Sequence, residues 1–575
     1  MLLNREALER GAVSTGSSDY FLGRGERAQS RDWRRPTPND VTEQIVPALL
    51  TVLAESESPE LRIGCLLALG RLGDLYDART AEAVHAALLA ELSDGQSEVR
   101  AVAALSLGLM EDPSGLDLLV EILGDTPAAR ELTGQEILPR TRAFASLGLA
   151  LGTRDLSDAA RLRYGRALEQ QLASLMRVGN SEAAASAVIA IGLCPQPFAP
   201  LSPEAQLIGP GLAQQIENLQ GLIYDRHLRP EVGAHIPQAL ARLAQALPDH
   251  PSARRQREQV VSRLLEIIRR QGRARQLPDA LRDGALLAMG ELAAMLDDPQ
   301  RIEAVQALER SIDSGTRMGP AFALLSLGRL GAAADPDLRR QIEARLLDEL
   351  THAPRRRGAW ASLGLGLGVK ESEHRGVSGP LRTKWVQSLE RAKSPDFVSA
   401  LGIGMGLAGL SSEESRLLQK FDELSEEATR GYLAEALGLA GARKAHHHLG
   451  ESLSDALNQP VLLGRLAVAL GLMGDRSVQA RLLGALDETR SVPAQGYLTA
   501  AIGLVGDQAA LPPLLEILGD TSNNVRLRAF AAAALGRLAD PDPQPWNAEL
   551  ARGLNYRHAP PALFDGSGWG LLELL

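Results

Sequence analysis

The sequence predicts an all-α protein: a right-handed α-solenoid (α-α superhelix) of about thirteen helical hairpins. Three observations predict it. A short phrase of Ala and Leu around a Gly recurs along most of the 575 residues, for example at 67–74, 468–475, 501–507 and 534–540. Within each unit apolar residues fall at i, i+3, i+4 and i+7, which is typical of helices. No stretch shows sustained alternation of apolar and polar residues, so we predict no strands.

The number of hairpins follows from the spacing of the Gly inside each phrase, here called the marker glycine. Successive markers lie 32 to 44 residues apart, except for one gap of 98 residues between Gly192 and Gly290. Residues 230–243 fit a unit inside that gap, with Ala241 at the marker position. The markers are Gly70, Gly108, Gly148, Gly192, Gly290, Gly328, Gly364, Gly406, Gly438, Gly471, Gly503 and Gly536. A constant period of this length indicates stacked repeats.

One late unit illustrates the pattern. Residues 507–520 predict a first helix with Asp507 as its N-cap, 519–524 a turn, and 525–538 a second helix. The marker glycine then lies inside the second helix, where it costs about 0.5–1 kcal/mol relative to Ala. We expect close approach of the next hairpin to compensate this cost. The alternative is that the marker glycines end their helices at C′.

This unit resembles HEAT repeats, in particular the short bacterial HEAT-like units of the phycobilisome-lyase type, and the resemblance covers residues 41–545. It implies a helical-hairpin solenoid. It leaves function open, because HEAT-like arrays serve as scaffolds, adaptors, nucleic-acid binders and, in a few branches, enzymes.

We predict three regions along the chain. Residues 1–40 form an N-terminal flexible or strap segment. Residues 41–556 form the HEAT-like solenoid, with a proline-rich insertion near 195–230. Residues 557–575 form a tail that caps the last hairpin, since terminal repeats need a covered face to stay soluble.

Composition excludes several classes of function. The net charge is −10 and aromatic residues make up 3% of the chain, which disfavours nucleic acid and anionic membranes as partners. No window approaches 18 continuous apolar residues, so we predict no membrane span. Charges within the first ten residues are atypical of a signal peptide. We therefore predict a cytoplasmic protein, with an upstream export signal as the alternative.

Two basic clusters are the candidate partner-binding residues. The stretch 254–275 contains eight arginines, and three more arginines follow one another at 355–357. They could bind a phosphate or an acidic protein surface; the alternative is a solvated helix face beside balancing carboxylates. The candidates are Arg254, Arg255, Arg257, Arg269, Arg270, Arg273, Arg355, Arg356 and Arg357.

Catalytic relatives of HEAT repeats were considered. The chain has no His-Glu dipeptide, the motif that holds iron in proteins similar to deoxyhypusine hydroxylase. We also find no catalytic constellation of the bilin-lyase kind. We therefore predict a non-catalytic scaffold or adaptor that binds other proteins, with no metal and no cofactor, through turns and second-helix faces on the concave side. The alternatives are a bilin-lyase-like or other HEAT-repeat enzyme, or a nucleic-acid binder that uses the Arg254–Arg275 ridge.

Overall fold

The computed structural model describes residues 35–154, 156–198, 211–314, 318–352, 355–372, 376–473, 477–540, 548–565 and 570–572. The secondary structure of these ranges is helical, without strands. The α-helices in chain order are α1 (Pro38–Asp40), α2 (Val46–Glu55), α3 (Pro59–Arg71), α4 (Ala78–Glu91), α5 (Ser97–Leu109), α6 (Pro113–Gly124), α7 (Pro127–Thr133), α8 (Pro139–Leu151), α9 (Asp158–Val178), α10 (Ser181–Leu193), α11 (Leu212–Leu222), α12 (Pro230–Gly233), α13 (Ile236–Gln245), α14 (Pro251–Arg269), α15 (Asp279–Glu291), α16 (Asp298–Ser314), α17 (Gly319–Ala333), α18 (Pro336–His352), α19 (Arg355–Glu371), α20 (Gly379–Arg391), α21 (Pro395–Leu407), α22 (Glu414–Glu423), α23 (Glu427–Ala440), α24 (Ala445–Asp455), α25 (Pro460–Leu472), α26 (Ser477–Glu488), α27 (Val492–Val505), α28 (Leu511–Gly519), α29 (Val525–Ala539) and α30 (Ala548–Ala551).

The described ranges contain thirteen hairpins, each made of a first helix (A helix) and a second helix (B helix). The all-α solenoid prediction is confirmed. The B helices carry the markers, and α13 contains Ala241, so the unit inferred inside the long gap exists. The B helices are α3, α5, α8, α10, α13, α15, α17, α19, α21, α23, α25, α27 and α29.

The late unit follows its prediction closely. Asp507 accepts a hydrogen bond from the main-chain N–H of Ala509 at 2.9 Å, and a 3₁₀ turn leads into α28. Asn524 accepts one from Arg526 at 2.9 Å and begins α29. The difference from the prediction is the 3₁₀ turn, which shortens the first helix.

The chain divides into two compact units. The first unit comprises residues 1–68 and 320–548 together with Leu575, and the second comprises 69–319 and 549–574. Within the second unit the B helices α5, α8, α10, α13 and α15 pack against one another in chain order, and α9 packs against α6 and α16 against α14. Small residues make this possible: in α5 every residue of 99–108 is buried.

Within the first unit the B helices α19, α21, α23, α25, α27 and α29 also pack in chain order. The hairpin α2/α3 joins this stack at its far end, because α2 packs against α28. A methyl group at Gly536 would lie 2.7 Å from the Cα atom of Ala68. The guanidinium of Arg35 donates to the main-chain carbonyl of Asp540. The first hairpin thus packs on the last hairpin, at the end of the stack where residues 557–575 are predicted to form a cap.

The marker glycines lie at helix crossings, as predicted. A methyl group at Gly406 would lie 2.5 Å from the carbonyl oxygen of Ala436, and one at Gly438 would lie 2.8 Å from that of Ala469. Both markers lie inside their helices, so the alternative of a C′ position is wrong for them. The C′ position of α23 is filled by another glycine, Gly441, at φ +66°.

Two predicted segments can be placed in part. Residues 1–34 of the predicted strap lie outside the described residues. Within the predicted insertion, residues 212–222 form α11, the A helix of the hairpin that α13 completes. Gln215 fixes its start, because its side chain donates to the carbonyl of Cys194 and accepts from the N–H of Gln196.

Candidate protein-binding surface

The arginines predicted on α14 bind mainly to neighbouring parts of the second unit. Arg257 donates to the carbonyls of Ala244 at 3.3 Å and Leu247 at 2.7 Å, and so caps the C-terminal end of α13. Arg254 forms an ion pair of 2.6 Å with Asp249. These two side chains therefore serve the local structure.

The arginines at the other end of α14 are paired as well. Arg269 forms an ion pair with Glu303 on α16 and also donates to its main-chain carbonyl. Arg270, the left-handed C-cap at φ +53°, pairs with Asp279. In both cases a carboxylate neutralises the charge, as the alternative of a balanced helix face predicts.

Two exposed arginines of the stretch have no carboxylate in the contacts described above. Arg255 is exposed, and the exposed Arg273 places its guanidinium 4.6 Å from the centre of the Tyr224 ring. Arg263 lies 5.4 Å from the same ring and donates to its hydroxyl. Partner binding by the arginines of this stretch stays a prediction.

The cluster at 355–357 belongs to the first unit. The guanidinium of Arg357 binds the carboxylate of Glu349 with its Nε at 2.7 Å, and Glu349 is buried. Arg345 reaches the same carboxylate at 3.0 Å. Arg356 is exposed, and the side chain of Arg355 lies outside the described part of the chain. A partner-binding role for these three residues stays a prediction.

A polypeptide segment lies on the B helices of the second unit. It is formed by the chain's own residues 552–565 and 570–572, which are called the tail from here on. Its main-chain carbonyls accept hydrogen bonds from three B-layer side chains. Arg242 donates to Arg552 at 2.5 Å, and Arg140 donates to Pro561 at 3.1 Å. Between them, Nε2 of His235 lies 2.9 Å from the carbonyl of His558. The tail thus crosses α13 and α8 in the direction opposite to the repeats.

Further contacts fix the tail at both ends. Asn555, fully buried, donates to the carbonyl of Ala280 on α15 at 3.2 Å. At the other end the carboxylate of Asp565 pairs with Arg140, whose guanidinium also lies 4.0 Å from Glu182 on α10. The carboxylate of Glu182 also accepts a hydrogen bond from the main-chain N–H of Ala562. Four consecutive B helices therefore contact the tail.

Apolar burial accompanies these polar contacts. Leu563 and Leu571 are fully buried, and Leu572 is 2% exposed. The tail turns back on itself, because the N–H of Leu571 donates to Ala562 at 2.8 Å and that of Leu572 to Leu563 at 2.9 Å. The tail is thus an irregular segment held by side chains of the stack.

Burial shifts two pKa values at this surface. Desolvation lowers the pKa of His235 to about 4, so the imidazole is neutral at pH 7 and donates through Nε2–H. Burial raises the pKa of Glu182 above its usual range, and the neighbouring Arg140 opposes this shift.

The residues that hold the tail were missed by sequence reasoning. Arg140, His235 and Arg242 are isolated in the sequence, and sequence analysis recognises a binding site mainly by clusters of such residues. A signal was present at one repeat position: His235 lies six residues before Ala241, the residue at the marker position.

The same repeat position carries large side chains in the first unit, here called the stripe. Its members lie six residues before their markers, on α23, α25, α27 and α29: Tyr432, Arg465, Tyr497 and Phe530. The guanidinium of Arg465 lies 3.7 Å from the centre of the Tyr432 ring, and Tyr497 is 41% exposed. Glycines make room for the stripe: a methyl group at Gly496 would lie 2.7 Å from the Phe530 ring.

The stripe rests on a buried ion pair. Arg465 contacts both carboxylate oxygens of Glu435 at 3.0 Å, and the Glu435 side chain is 5% exposed. Burial raises the pKa of Glu435 to about 7, against the attraction of Arg465. The ion pair thereby holds the guanidinium of Arg465 against the Tyr432 ring.

The described residues contain no group of three or more His, Cys, Asp or Glu side chains placed to hold a metal ion. Among the same residues no helix combines the length and the apolar character that crossing a membrane requires.

Comparison with known proteins places this geometry among repeat proteins. Residues 46–133 match the family model of HEAT repeats. No curated protein matches the chain. The bacterial, phycobilisome-lyase type of repeat inferred from the sequence is not among these findings.

Solved karyopherin structures are similar to this chain. A Kap121p mutant is 14% identical with a TM-score of 0.40, and the match covers 84% of this chain and 57% of that one. The Kap95:Nup1 complex is 13% identical with a TM-score of 0.41, over 85% and 73% of the two chains. Importin Beta is 12% identical with a TM-score of 0.37, over 86% and 74%. This chain spans a little over half of Kap121p, which has been solved bound to Nup53p, to Ulp1p and to Pho4p.

Proposed function

We propose that this protein is a non-catalytic scaffold that binds segments of other proteins on its B helices. The observation that carries the proposal is the tail on the second unit. Arg140 on α8, Arg242 on α13 and His235, the residue before α13, donate to three main-chain carbonyls of that segment. With Asn555 bound to α15 and Ala562 bound to Glu182 on α10, four B helices contact it. A surface that holds one irregular polypeptide in this way has the geometry to hold another.

The chemistry of the contacts supports a protein as the partner. Every polypeptide presents main-chain carbonyls at regular intervals, so Arg140, His235 and Arg242 recognise a backbone, and neighbouring buried positions select side chains. Each such hydrogen bond contributes about 0.5–1.5 kcal/mol, and a charged donor more. Several weak contacts spread over successive repeats add up to useful affinity, which is how solenoids bind extended partners.

The stripe on the first unit supports the same function. Exposed Tyr and Arg side chains are enriched where proteins bind one another, because they combine apolar area with a polar group. Tyr497 presents such a side chain on α27, at the repeat position that His235 occupies on the second unit.

Photo-crosslinking in the native host tests this function. A photoreactive amino acid replaces Tyr497 on the stripe, or Leu138, two residues before Arg140 and 41% exposed. Matched probes replace Val178 at the end of α9 and Ile302 on α16, which are 68% and 45% exposed on A helices. We expect protein adducts mainly from Tyr497 and Leu138. Adducts that are equal at all four positions, or a co-purifying tetrapyrrole or metal without any protein adduct, would contradict the proposal.

A further inference from the structure

We propose that the tail is a built-in competitor for the B helices of the second unit, displaced by a partner segment of the same chemistry. That segment is irregular, offers free carbonyls, and carries a proline, a buried apolar residue and a carboxylate at alternate positions, as Pro561, Leu563 and Asp565 do. The inference rests on the proposed function, since it names the partner's chemistry and what controls its access.

The contacts of the tail are those of a ligand. A further repeat would pack its helix against the neighbouring B helix at a marker residue. The tail is instead held by hydrogen bonds from side chains of the B helices to its main-chain carbonyls. Among its described residues, 552–565 and 570–572, the helical structure is a single 3₁₀ turn at Tyr556–His558. The hairpins of the second unit stack on one another through their own helices.

The carboxylate is the most selective feature. Arg140 donates both to the carbonyl of Pro561 and to the side chain of Asp565. One guanidinium therefore binds a main-chain carbonyl and the carboxylate of the residue four positions later. Between them Ala562 and Leu563 are fully buried, whereas Phe564 is 41% exposed. The site therefore requires the residues at 563 and 565 and tolerates variation at 564.

Competition follows from the covalent connection. A tethered segment has an effective concentration of about 1 mM. If the tail segment itself binds the surface with a Kd of about 10 μM, it occupies the surface about 99% of the time, and a free segment then binds about 100-fold more weakly than to the vacant surface. A partner can therefore bind when the contacts of the tail are weakened. It can also bind when the partner itself contacts several repeats at once.

Binding of a synthetic peptide to the full chain tests the proposal. The probe is a fluorescent peptide of residues 549–572, measured by anisotropy. Two independent variants loosen the tail while leaving the B helices intact: Asp565→Asn removes the ion pair, and Gly553→Ala places a methyl group 2.9 Å from the carboxylate of Glu291 at a φ of +62°. Arg340→Gln, in an exposed ion pair on α18, is the matched control. Circular dichroism and the melting temperature verify that each variant is folded.

We expect both loosened variants to bind the peptide about tenfold or more tightly than the wild type and Arg340→Gln do. Adding Arg140→Gln to Asp565→Asn should remove the gain, and a peptide with Asn at position 565 should bind weakly throughout. Equal peptide binding by wild-type and loosened chains overturns the inference. The proposed function survives that result, because the Tyr497 and Leu138 crosslinks test it without the peptide.

Discussion

The imidazole of His235 donates a hydrogen bond of 2.9 Å to the main-chain carbonyl of His558, 323 residues further along the chain. His235 is 1% exposed, and burial lowers its pKa to about 4. Burial lowers this pKa and the bond to His558 partly opposes the shift, so it is the burial of the imidazole that couples its protonation to the docking of the tail.

Acid should release the tail. An undocked His235 takes up a proton below pH 6.5, its ordinary pKa, whereas the docked imidazole stays neutral down to about pH 4. The undocked state therefore binds more protons in this window, and docking weakens as the pH falls, by up to about 1.4 kcal/mol per pH unit. Protection factors of the amides of residues 562–572, corrected for intrinsic exchange, should fall between pH 6.5 and 4.

The histidine variants separate this effect from general acid sensitivity. His235→Gln should flatten the pH dependence, and the exposed His227→Gln of the same unit should leave it unchanged. Part of the slope should remain in His235→Gln, because burial also lowers the pKa of His558. An unchanged slope in His235→Gln would contradict the assignment.

The marker glycines should be intolerant of Ala. A methyl group at Gly406 meets the carbonyl oxygen of Ala436 at 2.5 Å, so Gly406→Ala forces two B helices apart and should cost about 1–3 kcal/mol. Gly484 lies inside α26 with no atom within 4 Å of such a methyl group. Gly484→Ala should instead stabilise the chain by about 0.5–1 kcal/mol. Urea unfolding of the two variants measures both changes, and a stabilised Gly406→Ala would refute the close-approach explanation.

The ion pair beneath the stripe should be costly to break from one side. The pKa of Glu435 is about 7 beside Arg465, so Arg465→Met should raise it further and leave a protonated, buried carboxyl at neutral pH. Loss of the ion pair should cost about 1–3 kcal/mol at pH 7, and the cost should grow as the pH rises, because only the unfolded chain ionises this carboxyl. Adding Glu435→Gln should remove the growth with pH, because Gln does not titrate. Denaturant unfolding of the single and double variants gives the coupling free energy; strictly additive effects would show that the two side chains do not interact.

The predicted basic ridge should divide into structural and dispensable arginines. Arg257 caps the last carbonyls of α13, so Arg257→Gln should lower the free energy of unfolding by about 1–3 kcal/mol. Arg255 is exposed, and Arg255→Gln should change stability by less than about 0.5 kcal/mol. Thermal melts compare them directly, and equal melting temperatures would argue against the capping role.

Local rules made the repeat predictable. Helical periodicity, caps such as Asp507 and the spacing of the marker glycines depend only on residues within one hairpin and its neighbours, and the structure follows them through all thirteen hairpins. The candidate surface was harder to predict. An isolated His235 or Arg140 has no local signature, and its role depends on tail residues that lie more than 300 positions away.

The sequence by itself determined that the chain is helical, how many hairpins it has, and which glycines lie where helices cross. Those properties come from contacts between residues close in sequence. Only the tertiary structure decided that α2/α3 stacks against α28/α29 and that residues 552–565 and 570–572 lie on the B helices of the second unit. Both contacts join segments hundreds of residues apart. The hairpins resemble one another, so each of them offers a similar face on which such a segment could pack. Long-range contacts therefore decide which segment covers each face, and no short stretch of residues specifies those contacts.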